Sequence, residues 1–465
     1  MAAMESHDPY LNHWADQAAA KTLAAHPEAK RITVAAGITP SGVVHVGNFR
    51  EVMTVDLVAR ALRDRGAEVR FIYSWDDFDV FRKVPADLPK RELLTTHLGR
   101  SIVDVPDPWD QHDSYASHHI AQFERSLEPL GIAPEFIRQS TQYRKGTYAV
   151  GIQKALQGAG KIREVLNRVR EQTTANSRVD DEWLPLAGFC DECGRDKLRF
   201  RVLDEWRVHY TCERCGHERD VDLREGGNLK LPWRIDWPMR WAHEGVCFEP
   251  GGKDHSTAGG SYDTAKDIVR EIYGYRAPEY VGYDFVRIKG SAGKISSSKG
   301  GVITVADCLE VYEPEVLRWI FVSYRPNTEF QISFDVDVIA LYEGYDRLRR
   351  VAYGLEEAKD EGKKLAAQRT LQLASVDHHR LADGETMPFV PGFRHLSMIS
   401  QIFEGHIGHT VEHYRKSGQI KTDAEAAHCA ARARCVKNWL EKFAPEEFLF
   451  QIGRASCRER VSSPV

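Results

Sequence analysis

Hydrophobic positions in the first eighty residues follow two periods in turn. Arg31–Ala36 is a short apolar run with β-branched residues, which predicts a buried strand. Phe49–Arg65 then sets Val52, Val55, Val58, Ala59 and Leu62 on one face of a helix, closed by Gly66. Glu68–Ser74 is strand-like again. A strand, a helix and a second strand in this order predict a parallel, doubly wound α/β sheet, with ligands at the carboxyl ends of its strands. Trp75-Asp76-Asp77-Phe78-Asp79 falls at that edge. Residues from about 90 to 225 read as an insertion, and the sheet is expected to resume near Trp233. Tyr280–Ile288 is strand-like. From about Glu313 the pattern is helical, with Leu317, Ile320, Leu341, Leu348 and Val351 as core candidates. No internal repeat is evident.

Composition narrows the class. The 465 residues suit two to four domains. A net charge of -5 excludes a generally basic coat, so nucleic-acid contacts would be local. Lys154, Lys161, Arg163, Arg168 and Arg170 form one such patch along a predicted helix, although a merely solvated face has the same pattern. An apolar signal segment and a membrane-length apolar run are both missing, which predicts a cytoplasmic protein.

Of nine cysteines, four form Cys190-x-x-Cys193 and Cys212-x-x-Cys215, eighteen residues apart. Each pair sits on a tight turn, the spacing of a structural Zn2+ ribbon with four thiolates. Disulfides are the alternative, which a cytosolic chain disfavours. Asp107, His112 and His118, with His119 beside them, form a weaker metal candidate; histidines on a helical face are its ordinary reading.

The densest chemistry lies in Ala36-Gly37-Ile38-Thr39-Pro40-Ser41-Gly42-Val43-Val44-His45-Val46-Gly47-Asn48-Phe49. This turn joins the first strand to the first helix, where backbone N–H groups and the helix dipole attract anions. Val43 and Val44 replace the Lys and Ser/Thr of a Walker loop, and glycines spaced by five break the dinucleotide fingerprint. His45 is suited to a phosphate or a ribose, and Gly47 permits close approach of a nucleotide. A second segment, Lys289–Gly301, carries three lysines and four serines among glycines; it suits charge developing on a leaving polyphosphate, or a solvated linker.

Together the two segments resemble the ATP-binding signatures of class I aminoacyl-tRNA synthetases. His45-Val46-Gly47-Asn48 matches the "HIGH" element, and Lys294-Ile295-Ser296-Ser297-Ser298 the "KMSKS" element. Asn48 in the last His position, Ser297 in the second Lys position, Gly251-Gly252-Lys253-Asp254-His255 and Arg325-Pro326-Asn327 are similar to class I lysyl-tRNA synthetases. The resemblance runs from about Trp14 to the Gln451 region. Where the family often has a Cys this chain has Gln111, which weakens the Asp107/His112/His118 site.

The resemblance implies a Rossmann-like doubly wound sheet with a zinc-ribbon insertion and a C-terminal α-helical anticodon-binding domain. Residues 1–90 and 226–312 would be the two catalytic halves, 91–225 the insertion, and 313–451 the stem-contact and anticodon region. It implies lysine activation by ATP and Mg2+ to lysyl-adenylate, then transfer to tRNA(Lys). His45 and Asn48 would contact triphosphate and ribose, with Pro40, Gly42 and Gly47 completing the nucleotide site. Lys294 would stabilise pyrophosphate, with Lys299 standing in for the lysine lost at Ser297. Gly37 and Thr39 would meet the α-amino and carboxylate groups of lysine. Trp233 or Trp237, His255 and Tyr283 would line its stem, and Asp76 or Asp77 would be the counter-charge. A monomer is favoured.

The rivals are a class I synthetase of Cys or Glu specificity, a non-charging RNA-binding paralogue, and a nucleotidylyltransferase. Residues 452–465 lack either period. Part of them resembles the translation of a sequencing adapter, so genuine sequence is expected to end near Gln451, with the helical domain truncated; a frayed tail is the alternative.

Overall fold

The structure, a computed structural model, describes residues 13–85, 88–172, 178–256, 260–289 and 302–449. Lys294, Ser297, Lys299 and the segment 452–465 lie outside the described residues. Helix α1 (Trp14–Ala25) precedes β1 (Ile32–Ile38), α2 (Val46–Asp64) and β2 (Val69–Trp75). β1 and β2 pair in parallel from Ile32↔Val69 to Ile38↔Trp75. The predicted strand–helix–strand start is therefore present, and α2 begins three residues before the apolar pattern does.

After β2 come α3 (Arg91–Thr96), α4 (Tyr115–Leu127) and β3 (Glu135–Arg138). β3 adds to β2, in parallel, as the outer strand of the main sheet. It thus sits inside the span expected to be insertion. Its four residues, Glu-Phe-Ile-Arg, are too short to show a period. The insertion follows, with α5 (Gln139–Arg144), α6 (Ala149–Gln157), α7 (Ala159–Gln172), β4 (Ala187–Gly188), β5 (Leu198–Val202), β6 (Arg207–Cys212), β7 (Glu218–Asp222) and β8 (Leu229–Lys230). β5, β6 and β7 form an antiparallel ribbon.

The main sheet resumes at β9 (Val246–Phe248), beyond α8 (Trp233–Glu244), rather than near Trp233 itself. Pro232 at the α8 N-cap explains the difference, since proline is tolerated where a helix begins. The sheet order is β3-β2-β1-β9, so the order reverses between β1 and β9. That reversal is the crevice in which open α/β sheets bind ligands. β10 (Gly251–Gly252), α9 (Ser261–Tyr273), β11 (Gly282–Tyr283) and β12 (Val286–Ile288) follow, so the predicted strand Tyr280–Ile288 is split in two.

The rest is helical except for β13 (Phe330–Ile332), which pairs with β12. Its helices are α10 (Val305–Val311), α11 (Pro314–Ser323), α12 (Asp337–Ala352), α13 (Glu361–Ala374), α14 (Phe393–Ile402), α15 (Ile407–Lys416) and α16 (Asp423–Lys442). Leu317 and Ile320 are buried, while Leu341, Leu348 and Val351 pack partly buried against the same core.

Buried ion pairs fasten this half to α2. Arg318 on α11 meets Asp56 at 2.7 Å and donates to the carbonyls of Leu373, Leu130 and Ala374. Arg60 also reaches Asp56, at 2.9 Å. Arg369 on α13 bridges Asp16 and Asp64 at 2.5 and 2.6 Å. Each charge is paired and hydrogen-bonded, as burial demands.

Candidate active site

The turn after β1 lies at the sheet's crevice and ends in the α2 N-cap. His45 Nδ1 accepts the Gly47 N–H at 3.0 Å, and Asn48 Oδ1 accepts the His45 N–H at 3.2 Å. A Cβ on Gly47 would stand 2.8 Å from the His45 ring, so only glycine lets the imidazole fold back over the helix start. His45, Gly47 and Asn48 are thus grouped at the positive end of α2.

The second signature segment is rooted at the same place. The Val46 N–H donates to the Ile303 carbonyl at 2.9 Å, and His45 bridges Thr304. On the other side, the Val286 carbonyl lies 3.5 Å from the Cβ position of Gly47. The chain therefore returns from residues 290–301 beside His45, and the strand that leads towards them passes Gly47 at Val286.

Next to this turn is a cluster of buried carboxylates. Glu51, one turn into α2, accepts the Gly37 N–H at 2.9 Å and the Tyr283 hydroxyl at 2.6 Å. Burial pushes its carboxyl up to about 7, with Glu249 and Asp76 adding repulsion against those two hydrogen bonds. Asp76 is likewise pushed up by burial to about 6, although Arg240 meets it at 2.9 Å. Glu249 accepts the indole N–H groups of Trp237 and Trp241 at 3.0 and 2.5 Å. The Trp233 ring lies 5.5 Å from His255 and 5.6 Å from Trp237.

Several predicted residues have other commitments. The Asp77 carboxylate accepts both the N–H and the hydroxyl of Ser140, at 2.8 and 2.7 Å, and so caps α5. The Thr39 hydroxyl donates to Asp79 at 2.8 Å, and Lys230 holds the other Asp79 oxygen at 2.7 Å. Gly37 is required for packing, because a Cβ would meet the Ser74 carbonyl at 2.7 Å. In the basic helix, Lys161 pairs with Glu164 and Glu271, Arg168 with Asp267, and Arg163 donates to the Trp183 carbonyl. Glu51, Asp79, Lys230 and Glu249 were not singled out from sequence. Scattered acids and lysines look solvated until the fold gathers them.

From Thr39 and Ser41 a cleft of about 770 Å³ runs outward between the sheet and the insertion. Arg82, Lys83, Phe189 and Trp233 are among the residues that line it.

Two side-chain clusters have the donor types that bind metals. The sulfur atoms of Cys190, Cys193, Cys212 and Cys215 all lie within 4.8 Å of one another. The Cys190–Cys215 and Cys193–Cys212 separations are both 3.7 Å, which leaves the thiols free of disulfide bonds. Gly194 and Gly216, with φ of 70° and 74°, supply the left-handed residue that each Cys turn needs. Asp107, His112 and His118 also converge, with His118 Nδ1 at 3.3 Å from both Asp107 and His112 Nδ1. Asp107 accepts the N–H groups of Gln111 and His112 as well, so it has a structural task of its own.

A parallel sheet with a glycine-rich turn at its crevice, a chain that returns from residues 290–301 to the same helix end, and a cysteine ribbon are the arrangement expected of a class I aminoacyl-tRNA synthetase. Comparison with known proteins narrows this. A family model described as tRNA synthetases class I (K) matches residues 12–377. A lysine–tRNA ligase of Borreliella burgdorferi is 47% identical over 441 residues, covering 95% of this chain and 82% of that protein. The lysine–tRNA ligase of Treponema pallidum is 43% identical, covering 97% and 84%, and that of Pyrococcus furiosus 42% identical, covering 95% and 82%. The chain belongs to the class I lysyl-tRNA synthetase family.

Proposed function

We propose that the carboxylate cluster at Glu51 receives the side-chain ammonium of lysine while the turn at 37–48 receives ATP. The reaction is ATP-dependent ligation of L-lysine to tRNA(Lys). A lysine carboxylate oxygen attacks the α-phosphorus, the bond to the bridging oxygen breaks, and pyrophosphate leaves. A terminal ribose hydroxyl of tRNA then attacks the lysyl carbonyl, and AMP departs. Both steps depend on alignment and on groups that stabilise developing charge, without a covalent enzyme intermediate.

The observation that carries this reading is the convergence at the start of α2. The glycine-rich turn, the chain returning from the lysine-rich loop and a carboxylate cluster meet there. Glu51 takes the role of counter-charge because its partners, the Gly37 N–H and the Tyr283 hydroxyl, carry no charge, whereas Asp76 is already neutralised by Arg240 and Asp77 caps α5. Tyr283 orients Glu51, while Trp233 and His255 flank the stem. Aromatic faces beside a cation add roughly 0.5–2 kcal/mol. His45, Asn48, Pro40, Gly42 and Gly47 hold the nucleotide, Lys294 and Lys299 meet the pyrophosphate, and Ser297 lies between them in the loop. The 770 Å³ cleft admits the acceptor end of the tRNA.

Mg2+ accompanies ATP, held chiefly by phosphate oxygens. The four cysteines suit structural Zn2+: Zn–S bonds of about 2.3 Å in a tetrahedron set sulfurs about 3.8 Å apart, against the observed 3.7 Å. Asp107, His112 and His118 are a second, weaker ligand set. The reading is of a monomer working in the cytoplasm. The deciding test is ATP–pyrophosphate exchange with each of the twenty amino acids, with and without tRNA. Lysine should drive exchange; exchange with glutamate or cysteine but not lysine would overturn the assignment.

A further inference from the structure

Tyr115 opens α4 and is fully buried. Its hydroxyl donates to the carbonyl of Ser41, at 3.0 Å, across 74 residues of sequence. The ring is fixed from several sides. Phe81 lies 5.2 Å away, His119 packs edge-on at 4.6 Å, and the Tyr115 N–H donates to the Val105 carbonyl at 2.8 Å.

The carbonyl of Ser41 and the N–H of Gly42 belong to one planar trans peptide, so they point in opposite directions. Clamping the oxygen therefore aims the nitrogen. Among the described residues the Gly42 N–H has no acceptor, while Ser41 lines the cleft that begins at the nucleotide turn. The half-exposed amide is therefore open to a partner from outside the chain, and an anion suits it.

We propose that Tyr115 is a positioning residue for the nucleotide: it locks the Ser41–Gly42 peptide so that the Gly42 N–H donates to a phosphate of ATP. This rests on placing ATP at the turn. Without the phenolic hydroxyl the peptide is free to rotate, and the donor is no longer pre-aimed.

The test is Tyr115→Phe, which keeps the ring and its packing, with ATP and adenosine binding to the full chain measured by calorimetry. The expected result is ATP binding weakened about three- to tenfold, the range of one hydrogen bond. Adenosine affinity and the KM for lysine should stay unchanged, and the urea midpoint should fall only by the small amount expected for one lost hydrogen bond. Equal weakening of ATP and adenosine would mean a general structural role, and unaltered ATP affinity would mean no role; either overturns the proposal. Failure of the wild-type chain to bind ATP would instead refute the placement of ATP at the turn.

Discussion

Replacing Glu51 by glutamine removes a charge while preserving shape. The amide oxygen can still accept the Gly37 N–H, and the amide NH₂ can donate to the Tyr283 oxygen. An ammonium about 4 Å from a carboxylate gains about 4 kcal/mol at an effective dielectric constant near 20. Desolvation of the incoming lysine offsets part of this, leaving about 2–3 kcal/mol, comparable to a charged hydrogen bond. The kcat/KM for lysine should therefore fall about 30- to 150-fold, with the KM for ATP little changed.

The pH profile gives an independent check. Burial holds the free Glu51 carboxyl near 7, so the wild type should lose lysine affinity as pH falls through about 7. That acidic limb should vanish in the variant. The sign for folding is opposite. A carboxyl raised from 4.5 to about 7 contributes stability below 4.5, which is lost as pH rises towards 7. Glu51→Gln should accordingly match or exceed the wild type in urea midpoint at pH 8. Amino-acid-dependent exchange and urea titration are the assays. An unchanged lysine KM with the acidic limb intact would refute the role given to Glu51.

Metal analysis should find about one tightly held zinc per chain; Cys212→Ser should release it and open residues 187–225 to protease, whereas a zinc-free chain that resists protease would remove the metal from the ribbon. Lys294→Ala should slow pyrophosphate exchange by orders of magnitude, with tRNA present, while sparing lysine binding; an equal rate would exclude it from the chemistry. Arg318→Met leaves Asp56 with Arg60 alone and strips several carbonyls of their donor. It should cost about 3–5 kcal/mol in urea unfolding, and a loss within error would show the network to be dispensable.

Local signals survived folding best. The Cys-x-x-Cys turns and the β1–α2 turn are written in neighbouring residues, so their sequence and their geometry agree. Sites built from distant residues were harder to read. Asp76 and Asp77 are neighbours in a strand-end segment and look equivalent, yet one faces Arg240 and the other caps a helix 62 residues on, at Gln139. Glu51 lies on a helix whose apolar stripe draws attention elsewhere, and its partners come from positions 37 and 283. β3 and β13 are four and three residues long, too short for a period to show. In each case the missing information was tertiary proximity rather than residue type.

Helix α2 gives a last consequence. One end carries the proposed nucleotide turn, while its flank carries Asp56, Arg60 and Asp64, each locked to the C-terminal helices or the loop after them. A boundary drawn near residue 313 therefore does not mark detachable parts. Transplanting the helical half between homologues would leave guanidinium and carboxylate groups stranded in an apolar interior unless α2 travelled with it. Chimeras should respect that seam, keeping both sides of each buried charge from a single parent.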